Sequence, residues 1–154
     1  MEKAIKARTA YKLTIKQKLT ISFIISLLFV FIYSYTGFDK LSHLDKFSRG
    51  ISKIPYVGGM HVWIGWGVPL LELLISALLI LPGSNQLGLK LATGLMAIFT
   101  AYLALMLAFA EKRMCHCGGV IESMGWLEHL LFNIAFILLG GYAIYLNKNI
   151  NHKI

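Results

Sequence analysis

Charge is scarce in this chain, and acid is scarcer than base: 14% of the 154 residues are charged, 7 acidic against 15 basic. A soluble domain carries about 25% charged residues, so the composition argues against an ordinary cytosolic enzyme. Cysteine is down to two residues, too few for a disulfide-framework miniprotein. Disorder needs low hydrophobicity and high net charge, and 57% of this chain is apolar. The net charge of +8 does not mark a nucleic-acid binder, because the basic residues form no surface stripe. They sit between apolar blocks, the pattern of a membrane protein whose flanks set its orientation.

Four such blocks are present, at about 19–38, 62–81, 91–110 and 126–146. The first and third carry no charge, the second carries Glu72, and the fourth has Glu128 and His129 near its start. Each is long enough to cross a bilayer as a helix, and none shows the polar face of a soluble core helix. The first block follows 18 residues of basic sequence and is too long for the apolar region of a secretory signal, so it reads as an uncleaved span. The predicted fold is an all-α integral membrane four-helix bundle. It comprises a basic tail over 1–18, a four-span domain over 19–146 and a short tail over 147–154.

Orientation follows from Lys and Arg outside the spans. Nine fall on one side: Lys3, Lys6, Arg8, Lys12, Lys16, Lys18, Lys90, Lys148 and Lys153. Six fall on the other: Lys40, Lys46, Arg49, Lys53, Lys112 and Arg113. The dense N-terminal cluster puts both termini in the cytoplasm of a bacterial inner membrane. The connections at 39–61 and 111–125 then face the periplasm. Pro82-Gly83-Ser84-Asn85 makes a short turn, which sets spans two and three side by side and antiparallel. The tail, with Ile5, Tyr11, Leu13 and Ile15 among its lysines, reads as a solvated topology determinant or an interfacial helix on anionic lipid.

Both cysteines lie in the second outward connection, as Cys115-His116-Cys117-Gly118-Gly119. That compartment is oxidising. Two positions of separation strain a bridge between them, and strained bridges are the reducible, catalytic kind. So small a loop contributes little stability through chain entropy. Gly118 and Gly119 give the backbone freedom for the turn, and His116, Lys112 and Arg113 favour the reactive thiolate. The other readings are a soft-metal site built from Cys115, Cys117, His116 and His129, and two inert loop cysteines.

Glu72 sits near the middle of span two, just after Pro69. A carboxylate there must be protonated, paired or turned to a hydrated cavity, as a proton acceptor, a polar ligand contact or a neutral interhelical group. On span four, Trp126, His129 and Asn133 share one face. His129, near the outer surface, suits a base that takes a thiol proton, since imidazole titrates near neutrality. Asn133 reads as interhelical glue. Tyr102 shares a depth with Glu72 and Asn133, so these three, with Tyr33, are expected to form a buried polar layer. Gly94, Ala97, Ala101, Ala104 and Ala108 form a small-residue stripe, expected to be the packing face of span three. Trp63, Trp66 and Trp126 fit an outer aromatic belt, or the walls of a slot for a flat ring such as a quinone.

Three groups of residues resemble one family. They are Tyr35-Thr36-Gly37-Phe38-Asp39-Lys40-Leu41, then Pro69-x-x-Glu72, and the Cys115-x-Cys117-Gly118 loop followed by Trp126-x-x-His129 and Phe132-Asn133. Together they look like the MauE/DoxX group of small redox-associated membrane proteins, over nearly the whole chain beyond the basic tail. The resemblance implies a four-helix bundle and a role in methylamine utilisation, where MauE-like proteins support maturation of a disulfide-rich amine dehydrogenase subunit. Lys40 joins the polar set through this element. The second cysteine pair of quinone-linked disulfide-generating enzymes is absent from the sequence.

The expectation is a membrane thiol–disulfide redox protein. Cys115 and Cys117 exchange disulfides with a thioredoxin-like protein or a maturing substrate, His129 assists, and Glu72, Tyr102, Trp126, Asn133 and Lys40 support. Membrane lipid surrounds it, nucleic acid is not a partner, and a quinone is the one cofactor considered. A non-catalytic maturation or scaffold subunit and a Cys/His metal-handling protein are the alternatives.

Overall fold

The computed structural model describes residues 14–52, 58–109 and 125–151. Within them the chain forms α1 (Ile15–Ser42), α2 (Leu44–Ser52), a 3₁₀ turn (Gly58–Met60), α3 (His61–Ile80), α4 (Asn85–Phe109) and α5 (Trp126–Asn151). Four of these helices are long and apolar enough to cross a membrane, as the sequence predicts. Residues 1–13, and with them most of the basic tail, lie outside the described residues.

The start of α1 is written in its first residues. Thr14 accepts from the Gln17 backbone N–H while the Gln17 side chain accepts from the Thr14 N–H, a reciprocal cap that satisfies two orphan donors. From there α1 runs on past the apolar block to Ser42, about 42 Å at 1.5 Å per residue. The first connection is therefore more structured than a plain loop. α2 is a short helix with Asp45, Lys46 and Arg49 exposed and Ile51 buried. It rests on the entry of α3, with Ser48 against Gly65.

The spanning helices alternate in direction. Ser26 meets Asn85 beside Leu79 while Lys40 meets Glu72, so α1 and α3 are antiparallel. The turn after α3 uses Gly83 at φ 87°, a backbone conformation that glycine adopts without a steric penalty. Around the bundle the neighbours run α1, α3, α4, α5 and back to α1. The start of α1, the α3–α4 turn and the end of α5 thus share one end of the bundle. α2, the end of α4 and the start of α5 share the other.

The core lies where the four meet. Phe29 stacks on Tyr33 with ring centroids 6.0 Å apart and meets Phe136 edge-on at 5.4 Å. Ile75, Leu79, Leu89, Ala92, Met96 and Ala143 complete the cluster. The outside is as apolar as the inside: Phe31, Trp63, Ile98 and Leu138 are each about two-thirds exposed or more. Water would not tolerate such a surface; hydrocarbon does.

The small-residue stripe of α4 needs correcting. Gly94, Ala97, Ala101 and Ala104 are exposed, whereas Leu89, Ala92, Met96 and Leu103 are buried. The side chain of Ala108 lies outside the description. α4 turns Leu89, Met96 and Leu103 inward, and Leu89 and Met96 join Phe29 and Tyr33 in the core cluster. The small residues at its contacts are Gly88, where a Cβ would lie 3.0 Å from Leu79, and Ala92, which leaves its carbonyl open to the Tyr33 hydroxyl at 2.7 Å.

Candidate functional site

Helical spacing places Tyr33, Thr36, Gly37 and Lys40 on one face of α1, and all four are buried. That face meets α3 at Pro69 and Glu72. Gly37 makes the meeting close: a Cβ there would lie 3.2 Å from the Pro69 carbonyl oxygen and 3.3 Å from the Glu72 Cβ.

The close approach sets up a buried ion pair. Lys40 Nζ lies 2.5 Å from Glu72 Oε1, with the two side chains 9% and 1% exposed. Thr36 Oγ1 lies 3.3 Å from Glu72 Oε2 and 2.9 Å from the Ile32 carbonyl. Both carboxylate oxygens therefore have partners, and both partners come from α1. The Phe47 ring of α2 and the Phe99 ring of α4 stand 5.8 and 5.7 Å from the ammonium, within cation–π range. One ammonium thus ties together α1, α2, α3 and α4. Of the three states open to Glu72 on sequence grounds, the structure has the paired one.

His129 stands in the first turn of α5, half-buried, within electrostatic range of Lys40. Its helix start is fixed locally: the His129 N–H donates to the Gly125 carbonyl at 2.9 Å, and Glu128 accepts from the Gly125 N–H at 3.0 Å. Asn133, one turn on, is buried. The expected polar layer is not a single network. Tyr33 donates to the Ala92 backbone, Glu72 is engaged by Lys40 and Thr36, and Tyr102 is half-buried on α4. Trp63 and Trp66 are exposed near the start of α3. Such exposure fits an interfacial belt. Trp126 opens α5, its side chain outside the description.

Cys115, Cys117 and His116 lie outside the described residues. α4 ends and α5 begins at the end of the bundle that holds Lys40, α2 and His129. Among the described residues, no three His, Cys, Asp or Glu side chains cluster as a metal site.

The ion pair is the feature that sequence reasoning did not assemble, although both residues were in hand. The signal was present. Glu72 is the only acid inside the first three apolar blocks, and an intramembrane acid needs a partner. Lys40 is the first base after the charge-free run of α1.

A family model described as methylamine utilisation protein MauE matches residues 18–146, which takes in almost the whole bundle. No curated protein and no solved structure matches the chain.

Proposed function

The chain belongs to the MauE family, and from that premise we propose that it is a thiol–disulfide exchange protein of the bacterial inner membrane. In this reading both termini are cytoplasmic and Cys115 and Cys117 are presented to the periplasm. The observation that carries it is the sharing of one bundle end: the helices that flank the cysteine connection leave and enter beside His129 and the Lys40–Glu72 pair. The Lys and Arg distribution supports the orientation, and the strain expected of so short a cysteine spacing supports an exchangeable bridge.

The exchange balances without a further cofactor. A thiolate of the substrate attacks the Cys115–Cys117 bridge, one S–S bond forms as the other breaks, and a mixed disulfide results. The second substrate thiolate displaces it, leaving an oxidised substrate and two cysteine thiols here. A thioredoxin-like partner carrying a disulfide restores the bridge by the same two steps, taking up two electrons and two protons. The family description makes a protein of methylamine utilisation, such as a disulfide-rich amine dehydrogenase subunit, the first substrate to try. His129 is the group suited to accept the thiol proton. The exchange itself needs no quinone.

The test is the redox state of the pair in intact cells, read by acid quench and alkylation with a mass tag. An oxidised or mixed population that dithiothreitol converts to the reduced form is expected. Cys115→Ser or Cys117→Ser should accumulate a mixed disulfide with the partner. A wholly reduced pair, or full function in the doubly substituted chain, would overturn the reading. Bound metal in the purified protein, or function without either cysteine, would point instead to metal handling or a scaffold role.

A further inference from the structure

We propose that Lys40 and Glu72 form an intramembrane proton-accepting site, in which Glu72 takes up a proton as the cysteine pair is reduced and Lys40 holds the positive charge left behind. The inference rests on the thiol reading above and extends it to residues of α1 and α3.

An ion pair inside a bundle is a poor device for stability alone. Apolar residues of similar volume commonly serve as well or better, and ionisable groups within a membrane mark proton pathways more often than they mark scaffolding. What distinguishes this pair is that its surroundings satisfy either charge state of Glu72. Thr36 Oγ1 stands 3.3 Å from Glu72 Oε2 and 2.9 Å from the Ile32 carbonyl. With Glu72 ionised, the hydroxyl donates to the carboxylate. With Glu72 protonated, the same hydroxyl accepts from the carboxyl O–H and turns its own hydrogen to Ile32, since a hydroxyl both donates and accepts.

Lys40 is equipped for the loss of its counterion. Phe47 and Phe99 flank the ammonium and attract a cation whether or not the carboxylate is charged. The residue also lies close to the end of α1 at Ser42, so its chain can extend toward the bundle end. Among the described residues, other charged and titratable groups lie at this end of the bundle, and on α3 these include His61, whose Nδ1 is 2.8 Å from the Gly58 carbonyl. On α1, Tyr33 is bonded to Ala92 O and Asp39 pairs with His43. On α2, Asp45, Lys46 and Arg49 are exposed; on α4, Tyr102 is half-buried. On α5, Glu128 caps Gly125, which leaves His129 in electrostatic range of Lys40.

A dithiol substrate gives two electrons and two protons to the Cys115–Cys117 bridge. The S–S bond breaks, one sulfur takes a proton as a thiol, and the other remains a thiolate. The second proton forms an O–H bond on Glu72. The Lys40 ammonium is left without its carboxylate, and the net charge of the protein is unchanged. Reoxidation reforms the S–S bond and returns both protons with the electrons.

The test is an infrared difference spectrum of the full-length protein in phosphatidylethanolamine–phosphatidylglycerol vesicles, oxidised against dithiothreitol-reduced. A protonated-carboxyl band should appear on reduction and be missing in Glu72→Gln. The paired variant Lys40→Met/Glu72→Leu guards against misfolding, because it removes both charges together. It should remain folded, lack the band, and exchange disulfides about 10²-fold more slowly, as loss of a general acid–base group does. Glu72→Asp should recover part of the rate. A cysteine pair that cycles with no carboxyl change, or wild-type exchange in the folded paired variant, would overturn the proposal. A pair that does not cycle, seen from the alkylation count, would overturn the thiol reading itself and this proposal with it.

Discussion

Lys40 and Glu72 meet 2.5 Å apart inside a bundle whose lipid-facing surface is almost wholly apolar. The contact joins the end of α1 to the middle of α3, and it depends on both partners. Removing one leaves an uncompensated charge in the bundle interior, a loss of about 3–5 kcal/mol for buried pairs. Lys40→Met alone, which strands the carboxylate, should therefore lower the thermal unfolding midpoint in detergent strongly, and Glu72→Leu alone, which leaves the ammonium between Phe47 and Phe99, should lower it less. The paired substitution should restore most of the loss. Additive effects of the two single changes would show that the contact is not coupled.

Gly37 is the hinge of that contact. A side chain there runs into the Pro69 carbonyl and Glu72 Cβ, and backbone does not move aside cheaply. Gly37→Leu should push α1 off α3 and cost about 1–3 kcal/mol, the range for overpacking. It should also loosen the ion pair, so Glu72→Leu should cost less in the Gly37→Leu background than in the wild type. Equal costs in the two backgrounds would separate the glycine from the pair.

Tyr33 has two separable contributions. Its hydroxyl donates to Ala92 O at 2.7 Å, while its ring packs on Phe29. Tyr33→Phe keeps the ring and should cost about 1 kcal/mol, the net value of one hydrogen bond. Tyr33→Ala should cost about 3–5 kcal/mol, as for truncation of a buried aromatic. Equilibrium unfolding of the two variants reads the difference.

The four spans were legible because a bilayer imposes a crude requirement, about 20 residues without charge, that any reading of the sequence can detect. Lateral contacts were not. Periodicity says which residues share a face of one helix, but not which height on the next helix they meet, so Lys40 and Glu72 were both singled out without being joined. α2 is hard to read from the sequence because it is short and lies in a charged connection, although Leu44, Phe47 and Ile51 recur at helical spacing. The cysteine loop was the clearest chemical signal in the sequence, and it falls outside the described residues.

The faces of α4 give the most direct check of how the bundle packs. Small residues at spacings of three and four mark where two helices can come close, yet they do not oblige a helix to turn that way. Gly94 is exposed and a Cβ added there meets nothing within 4 Å, whereas Ala92 is fully buried against the Tyr33 hydroxyl. Gly94→Ala should thus be neutral or stabilising by up to about 1 kcal/mol, from helix propensity. Ala97→Leu should be tolerated in the lipid-facing surface. Ala92→Leu should overpack the core, break the Tyr33 bond and lower the unfolding midpoint markedly. If Ala97→Leu proves as damaging as Ala92→Leu, the stripe packs against something after all, and the inward face assigned to α4 is wrong.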